Sequence, residues 1–298
     1  MPPENAFIEH VFAADDGLML YARDYRPDVP NPEAATIVCL PGLTRNSGDF
    51  HALAVLLSKD RATPRRIVTL DARGRGRSAR DPAGTSYTLP VEAADVGTLL
   101  RHLALPPAVF IGTSRGGLVL HLLAASDPTR LRGVVLNDIG PVIERQGLMN
   151  IAAYLHAARP YPSLNDAAAA LRAVHGARFP ALDDEDWNDM AQAIHVEEDG
   201  RFVAAYDPAI RAPLASLTPE TPLPDLWPLF AGFAGMPLMV IRGEHSDLLS
   251  EETVAAMQAR HGDCTAVTAA GQGHAPLLHR PDCLAAIRDF VERVERRR

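Results

Sequence analysis

The chain has 298 residues, 47% apolar and 22% charged, with a formal net charge of −8 at pH 7, which is the make-up of a globular protein with a sizeable core and excludes a disordered, fibrous or coiled-coil chain. With 37 acidic against 29 basic residues the long-range field repels polyanions, so neither nucleic acid nor a membrane surface is an expected partner. Cys39, Cys264 and Cys283 lack the spacing of a disulfide framework or a zinc site, and no secretory signal or apolar run of about 20 residues is present, so a cytoplasmic protein without a metal is expected.

Residues 7–12 and 18–25 read as two short strands around Asp15-Asp16-Gly17, a hairpin turn signal. After a Pro-rich link, short continuous apolar runs at 36–40, 66–70, 108–111 and 131–136 alternate with amphipathic segments at 49–58, 89–102 and 114–125. The same alternation resumes with strands at 238–241 and 265–268 and helices at 251–260 and 283–294. It is the signature of a doubly wound α/β fold, a mostly parallel sheet buried by helices on both faces. Residues 137–235 break the pattern and read as a mainly helical insertion in a core made of 1–136 and 236–298. Within the insertion Ser163 and Asp166 open a helix over 167–174, and 183–186 open a second one reaching Ile194. Residues 195–198 and 201–205 flank Asp199-Gly200 as a small hairpin.

The strongest chemical signal is Gly112-Thr113-Ser114-Arg115-Gly116, a G-x-S-x-G that leaves an apolar strand and enters an amphipathic helix. Glycines two positions either side of Ser114 permit a tight strand-to-helix turn that lifts the hydroxyl clear of the backbone, at a helix end whose partial positive charge favours an alkoxide. The bland alternative is that Ser114 only caps the helix. A serine nucleophile needs a base, and His274 stands in a loop after the last strand, flanked by Gly271, Gly273 and Pro276. The third member is a carboxylate between serine and histidine in chain order. Asp247, just past the 238–241 strand, is the expected acid; Glu244 and Asp138 are its rivals, the latter because it ends the preceding strand.

Ser114, Asp247 and His274, in that order on this architecture, resemble the α/β-hydrolase superfamily, in its branch of bacterial serine esterases, lactonases and carbon-carbon hydrolases. The resemblance covers most of the chain. It implies an oxyanion hole from the N–H groups of Leu43, in Leu40-Pro41-Gly42-Leu43-Thr44, and of Arg115, with the insertion as a lid. Asp71-Ala72-Arg73-Gly74-Arg75-Gly76-Arg77-Ser78 is similar to a loop of the same branch, in which the arginines act as loop pins rather than phosphate ligands. Two departures stand out: Pro41 replaces a usual histidine, and Asp247 lies four residues after Gly243 where many relatives place the acid three after. The activity implied is hydrolysis of a small-molecule carboxylic ester or lactone without a cofactor. The alternatives are a carbon-carbon hydrolase of a ring-fission diketone and a non-catalytic ligand receptor on the same fold. For the first of these, Arg45 or Arg115 would hold a substrate carboxylate, and Arg45, in a loop free to aim inward, is the better placed.

Overall fold

A computed structural model describes residues 6–215 and 217–297. The opening hairpin pairs β1 (Ile8–Ala13) with β2 (Met19–Tyr25) antiparallel, and its turn closes through the Gly17 N–H to Ala14 O at 2.9 Å. The continuous apolar runs become β3 (Ile37–Leu40), β4 (Ile67–Asp71), β5 (Ala108–Thr113) and β6 (Leu131–Asn137). A separate hairpin, β7 (His195–Glu198) with β8 (Arg201–Ala204), turns at Asp199-Gly200 as the sequence predicts. The main sheet is completed by β9 (Leu238–Gly243) and β10 (Cys264–Ala269). It has eight strands in the order β1-β2-β4-β3-β5-β6-β9-β10, parallel from β4 onward.

The helices in chain order are α1 (His51–Ser58), α2 (Leu89–His102), α3 (Arg115–Ser126), α4 (Arg145–His156), α5 (Leu164–His175), α6 (Asp184–Ile194), α7 (Ala212–Ala215), α8 (Trp227–Phe230), α9 (Glu251–Arg260) and α10 (Pro281–Glu295). Alternate strand residues feed opposite layers, because successive side chains on a strand point to opposite faces. Val38, Phe110, Leu136 and Val240 pack with α2 and α3, while Ile37, Ile111, Val135 and Ile241 pack with α1 and α10. Sheet and helices thus bury both faces, as the near-continuous apolar strands require.

Between β6 and β9, α5 and α6 start where their caps dictate. Ser163 Oγ accepts the Asp166 N–H at 3.2 Å, and Asp183 and Asp186 form a reciprocal box at 3.0 and 3.1 Å. Leu171, Phe179, Leu182, Trp187 and Ile194 give these elements an apolar cluster of their own. Helix α4 belongs to the same stretch, and its apolar face is only half-buried. No helix among the described residues is long and apolar enough to cross a membrane.

One buried group couples the core to pH. His121 on α3 is fully buried, its Nδ1–H donates to Gly117 O at 2.7 Å, and Phe233 packs edge-on against it. Burial pushes its pKa down to about 4. In the unfolded chain it protonates near the ordinary value of about 6.5, so the unfolded state takes up the proton first as pH falls. The stability from neutral His121 is therefore complete above pH 6.5 and is lost progressively toward pH 4, by about 3 kcal/mol. Urea midpoints measured between pH 7 and 4.5 should fall, and His121→Met should flatten that fall; an unchanged slope in the variant would remove His121 as the cause.

Candidate active site

The parallel strands β3, β5, β6, β9 and β10 end at one edge of the sheet, where loops from successive strands converge. Thr113 and Asn137 are register partners, so the residues that follow them, Ser114 and Asp138, emerge side by side. Ser114 has φ 49° and ψ −114°, a left-handed conformation costly for a residue with a side chain. Its N–H donates to Asn137 O at 3.0 Å, and its carbonyl accepts the Gly117 N–H at 2.9 Å. The two motif glycines are required by close approach of backbone: a Cβ on Gly116 would lie 2.2 Å from Leu40 O, and one on Gly112 2.7 Å from the Gly117 N. Ser114 makes no side-chain capping bond to its helix, so the alternative of a mere cap fails.

The hydroxyl is instead paired with an imidazole. His274 Nε2 lies 3.0 Å from Ser114 Oγ, and its Nδ1 lies 2.8 Å from Asp138 Oδ2. The expected Asp247 is not on His274, and this is a correction. Asp247 turns the other way, accepting from Asn150 Nδ2 of α4 at 2.5 Å and pairing with Arg178 at 3.1 Å. Glu244 accepts the Gly271 N–H at 2.7 Å and so ties two loops together. The reason lies at the end of β6, where Asp138 has φ 55° and is fully buried. This left-handed residue folds its carboxylate back across the sheet edge. Oδ1 there accepts the Gly243 N–H at 2.8 Å and Oδ2 the Ser246 hydroxyl at 2.7 Å. Three charge-assisted hydrogen bonds offset its desolvation. Ser246 stands three residues after Gly243, so the spacing at which many relatives carry the acid holds a hydroxyl in this chain, a mark against the β9 end that is legible in the sequence.

Leu43 and Arg115 also meet at this edge, each beside Ser114. The Arg115 N–H opens α3, where no intrahelical acceptor exists, and Leu43 lines the same cavity as Ser114. Their fixation depends on the loop arginine Arg75 and on Glu92 of α2, which no motif in the sequence marks. Arg75 Nε donates to Leu43 O at 2.8 Å and its Nη1 to Glu92 Oε1 at 2.8 Å. The same buried Glu92 takes Arg115 Nε at 2.7 Å. Arg115's guanidinium is thereby turned away from any substrate carboxylate. Arg73 is held by Asp95 at 2.7 Å through two bonds, as a loop pin should be.

Ser114 and His274 open on a cavity of about 160 Å³. Leu43, Arg45 and Asp49 wall it from the core side, and Tyr154, His175 and Phe179 from α4, α5 and the turn that follows. Arg45 does reach the cavity, but its guanidinium is already paired with Asp49, so the expected free carboxylate clamp is occupied. Burial, with Arg45 and Arg178 nearby, pushes His175 down to about 4, which leaves it neutral at pH 7. The arrangement as a whole can pass a proton from hydroxyl to imidazole, hold the imidazolium against a buried carboxylate, and offer backbone N–H donors to an adjacent oxyanion.

A family model described as alpha/beta hydrolase fold matches residues 35–280. The chain is 32% identical, over 97% of both chains, to the 3-hydroxybutyrate-oligomer hydrolase of Cupriavidus necator. It is 30% identical to the 2-(acetamidomethylene)succinate hydrolase of Mesorhizobium japonicum, over 84% of this chain and 86% of the other. The crystal structure of an alpha/beta hydrolase from Novosphingobium aromaticivorans matches with a TM-score of 0.88 at 38% identity, covering 98% of this chain and all of that one.

Proposed function

Because the chain belongs to the α/β hydrolase fold family, we propose that it is a serine hydrolase cleaving small carboxylic esters or lactones by acyl transfer. Ser114 is the nucleophile, His274 the base and Asp138 the acid. The observation that carries this reading is the Asp138–His274–Ser114 relay at 2.8 and 3.0 Å, opening on a cavity. In the first step His274 Nε2 takes the Ser114 proton as Oγ attacks the acyl carbon. The Leu43 and Arg115 N–H groups bind the tetrahedral oxyanion, and Asp138 holds the imidazolium and its tautomer. Collapse breaks the ester C–O bond, and His274 returns the proton to the leaving alcohol. Water, deprotonated by His274, then attacks the acyl-enzyme and releases the acid with Ser114 restored.

The elements between β6 and β9 serve as a lid in this reading, since α4 and α5 roof the cavity and Asp247 fastens them to the core. The similarity to a 3-hydroxybutyrate-oligomer hydrolase over nearly the whole chain favours esters of short hydroxy acids, whose oligomers are joined by ester bonds. The carbon-carbon alternative keeps the similarity to a 2-(acetamidomethylene)succinate hydrolase, but its carboxylate clamp is neither Arg45 nor Arg115, whose guanidinium groups are bound by Asp49 and Glu92.

The test is labelling with a fluorophosphonate and turnover of 4-nitrophenyl esters of graded chain length, lactones and ring-fission dienoates. The expected results are a single adduct on Ser114 and the highest kcat/KM on short acyl chains. An unlabelled Ser114, or turnover of dienoates alone, would overturn the assignment.

A further inference from the structure

A second, smaller cavity of about 60 Å³ adjoins the first, and Thr44, Tyr154 and Ile194 line both. Its far wall carries Arg159, Tyr161, His195 and Tyr206. This wall is held by backbone pairing, since Tyr161 and Phe202 of β8 exchange N–H to carbonyl bonds at 2.8 Å in both directions.

Two groups here have chemistry that the fold does not use. The Tyr206 hydroxyl is buried without a hydrogen-bond partner, in a residue only 6% exposed. A buried unpaired hydroxyl is costly, and its persistence beside a cavity marks a donor waiting for a ligand acceptor. Burial raises its pKa, so it remains protonated. Arg159 is an exposed residue at the rim of this cavity; its guanidinium lies 5.9 Å over the Tyr161 ring, and no carboxylate pairs with it among the described residues. His195 adds no charge, because burial lowers its pKa and its Nδ1–H is spent on Ala191 O at 2.9 Å. A cation without an anion and a hydroxyl without an acceptor, lining one cavity, match a carboxylate.

We propose that this chamber binds the free carboxylate end of a linear ester whose scissile carbonyl sits at Ser114, with Arg159 and Tyr206 as its donors. The substrate class is then an acid-terminated ester such as a dimer or short oligomer of a hydroxy acid. Water cleaves its ester bond to give two acids, one of them bearing the released hydroxyl. The proposal rests on the acyl-transfer reading of Ser114 and moves carboxylate recognition from Arg45, which Asp49 occupies, to Arg159.

The experiment compares kcat/KM for a linear 3-hydroxybutyrate dimer with a free carboxylate and for its methyl ester. It uses wild type, Arg159→Gln, Arg159→Lys and Tyr206→Phe. Wild type should prefer the free acid. That preference should fall about tenfold in Arg159→Gln through KM, as loss of a charged hydrogen bond predicts, and less in Arg159→Lys. Tyr206→Phe should lower the preference without lowering Tm, because it deletes an unpaired hydroxyl; a structural tyrosine would lose stability. Equal kcat/KM for the two dimers in wild type, or a preference intact in both Arg159→Gln and Tyr206→Phe, would overturn the chamber. Calorimetric binding of the acid dimer separates the two readings. If neither dimer is hydrolysed but the acid binds and weakens in Arg159→Gln, the chamber stands and the Ser114 reading fails. Absence of binding overturns the chamber.

Discussion

Ser114→Ala is expected to lower kcat by about 10⁶ while leaving the fold and its Tm nearly unchanged, in line with removal of a nucleophile that works as a unit with its base. The fold should tolerate the change for two local reasons. Alanine meets the same backbone strain at φ 49° as serine does, and no helix-capping bond is lost because Ser114 makes none. The hydroxyl's bond is to His274 Nε2, at the wall of a cavity where water can replace it. Steady-state turnover of a short 4-nitrophenyl ester, with the variant purified free of host esterases, checks this. Activity above a small fraction of wild type would remove Ser114 as the nucleophile.

The second large effect separates the two candidate acids. Asp138→Asn should cost about 10⁴ in kcat, the scale of tautomer loss in a serine protease triad. Asp138 accepts three hydrogen bonds, from the Gly243 N–H, the Ser246 hydroxyl and His274 Nδ1. An amide cannot accept all three. If its NH₂ faces His274, Nδ1 must become the acceptor, and the Nε2 proton then points at Ser114, which leaves no base. Asp247→Asn should cost less than tenfold, because that carboxylate touches Asn150 and Arg178 and its loss loosens the fastening of α4 and the turn after α5. A profile in which Asp247→Asn is the severe variant and Asp138→Asn the mild one would restore the sequence-based choice.

That choice shows where local reading stops. The proposed nucleophile is legible because everything that shapes its turn lies within a few residues of Ser114: an apolar strand, two glycines that let backbones touch, and a helix start. His274 was legible for a similar reason, as a glycine-flanked loop residue after the last strand. The proposed acid is not, because the carboxylate that reaches His274 depends on which of two neighbouring strand ends turns inward. Asp138 and Asp247 both follow apolar strands and both fall between serine and histidine, and the only mark against Asp247 in the sequence is its spacing of four residues from Gly243.

What the sequence determined by itself was the order of the main-sheet strands and the helices between them, the caps of α5 and α6 and the β7–β8 hairpin, all written in periodicity and turn chemistry at short range. Only the tertiary structure decided that Asp138, in a left-handed conformation, reaches His274, that Asp247 faces the roof, and that Glu92 binds both Arg75 and Arg115. It also set Arg45 against Asp49 and left Arg159 and Tyr206 around a chamber of their own. Each of these outcomes is a pairing between residues far apart in the chain, fixed by burial: a charge taken out of water settles on whichever partner the packed elements bring within reach, and no local pattern encodes that distance.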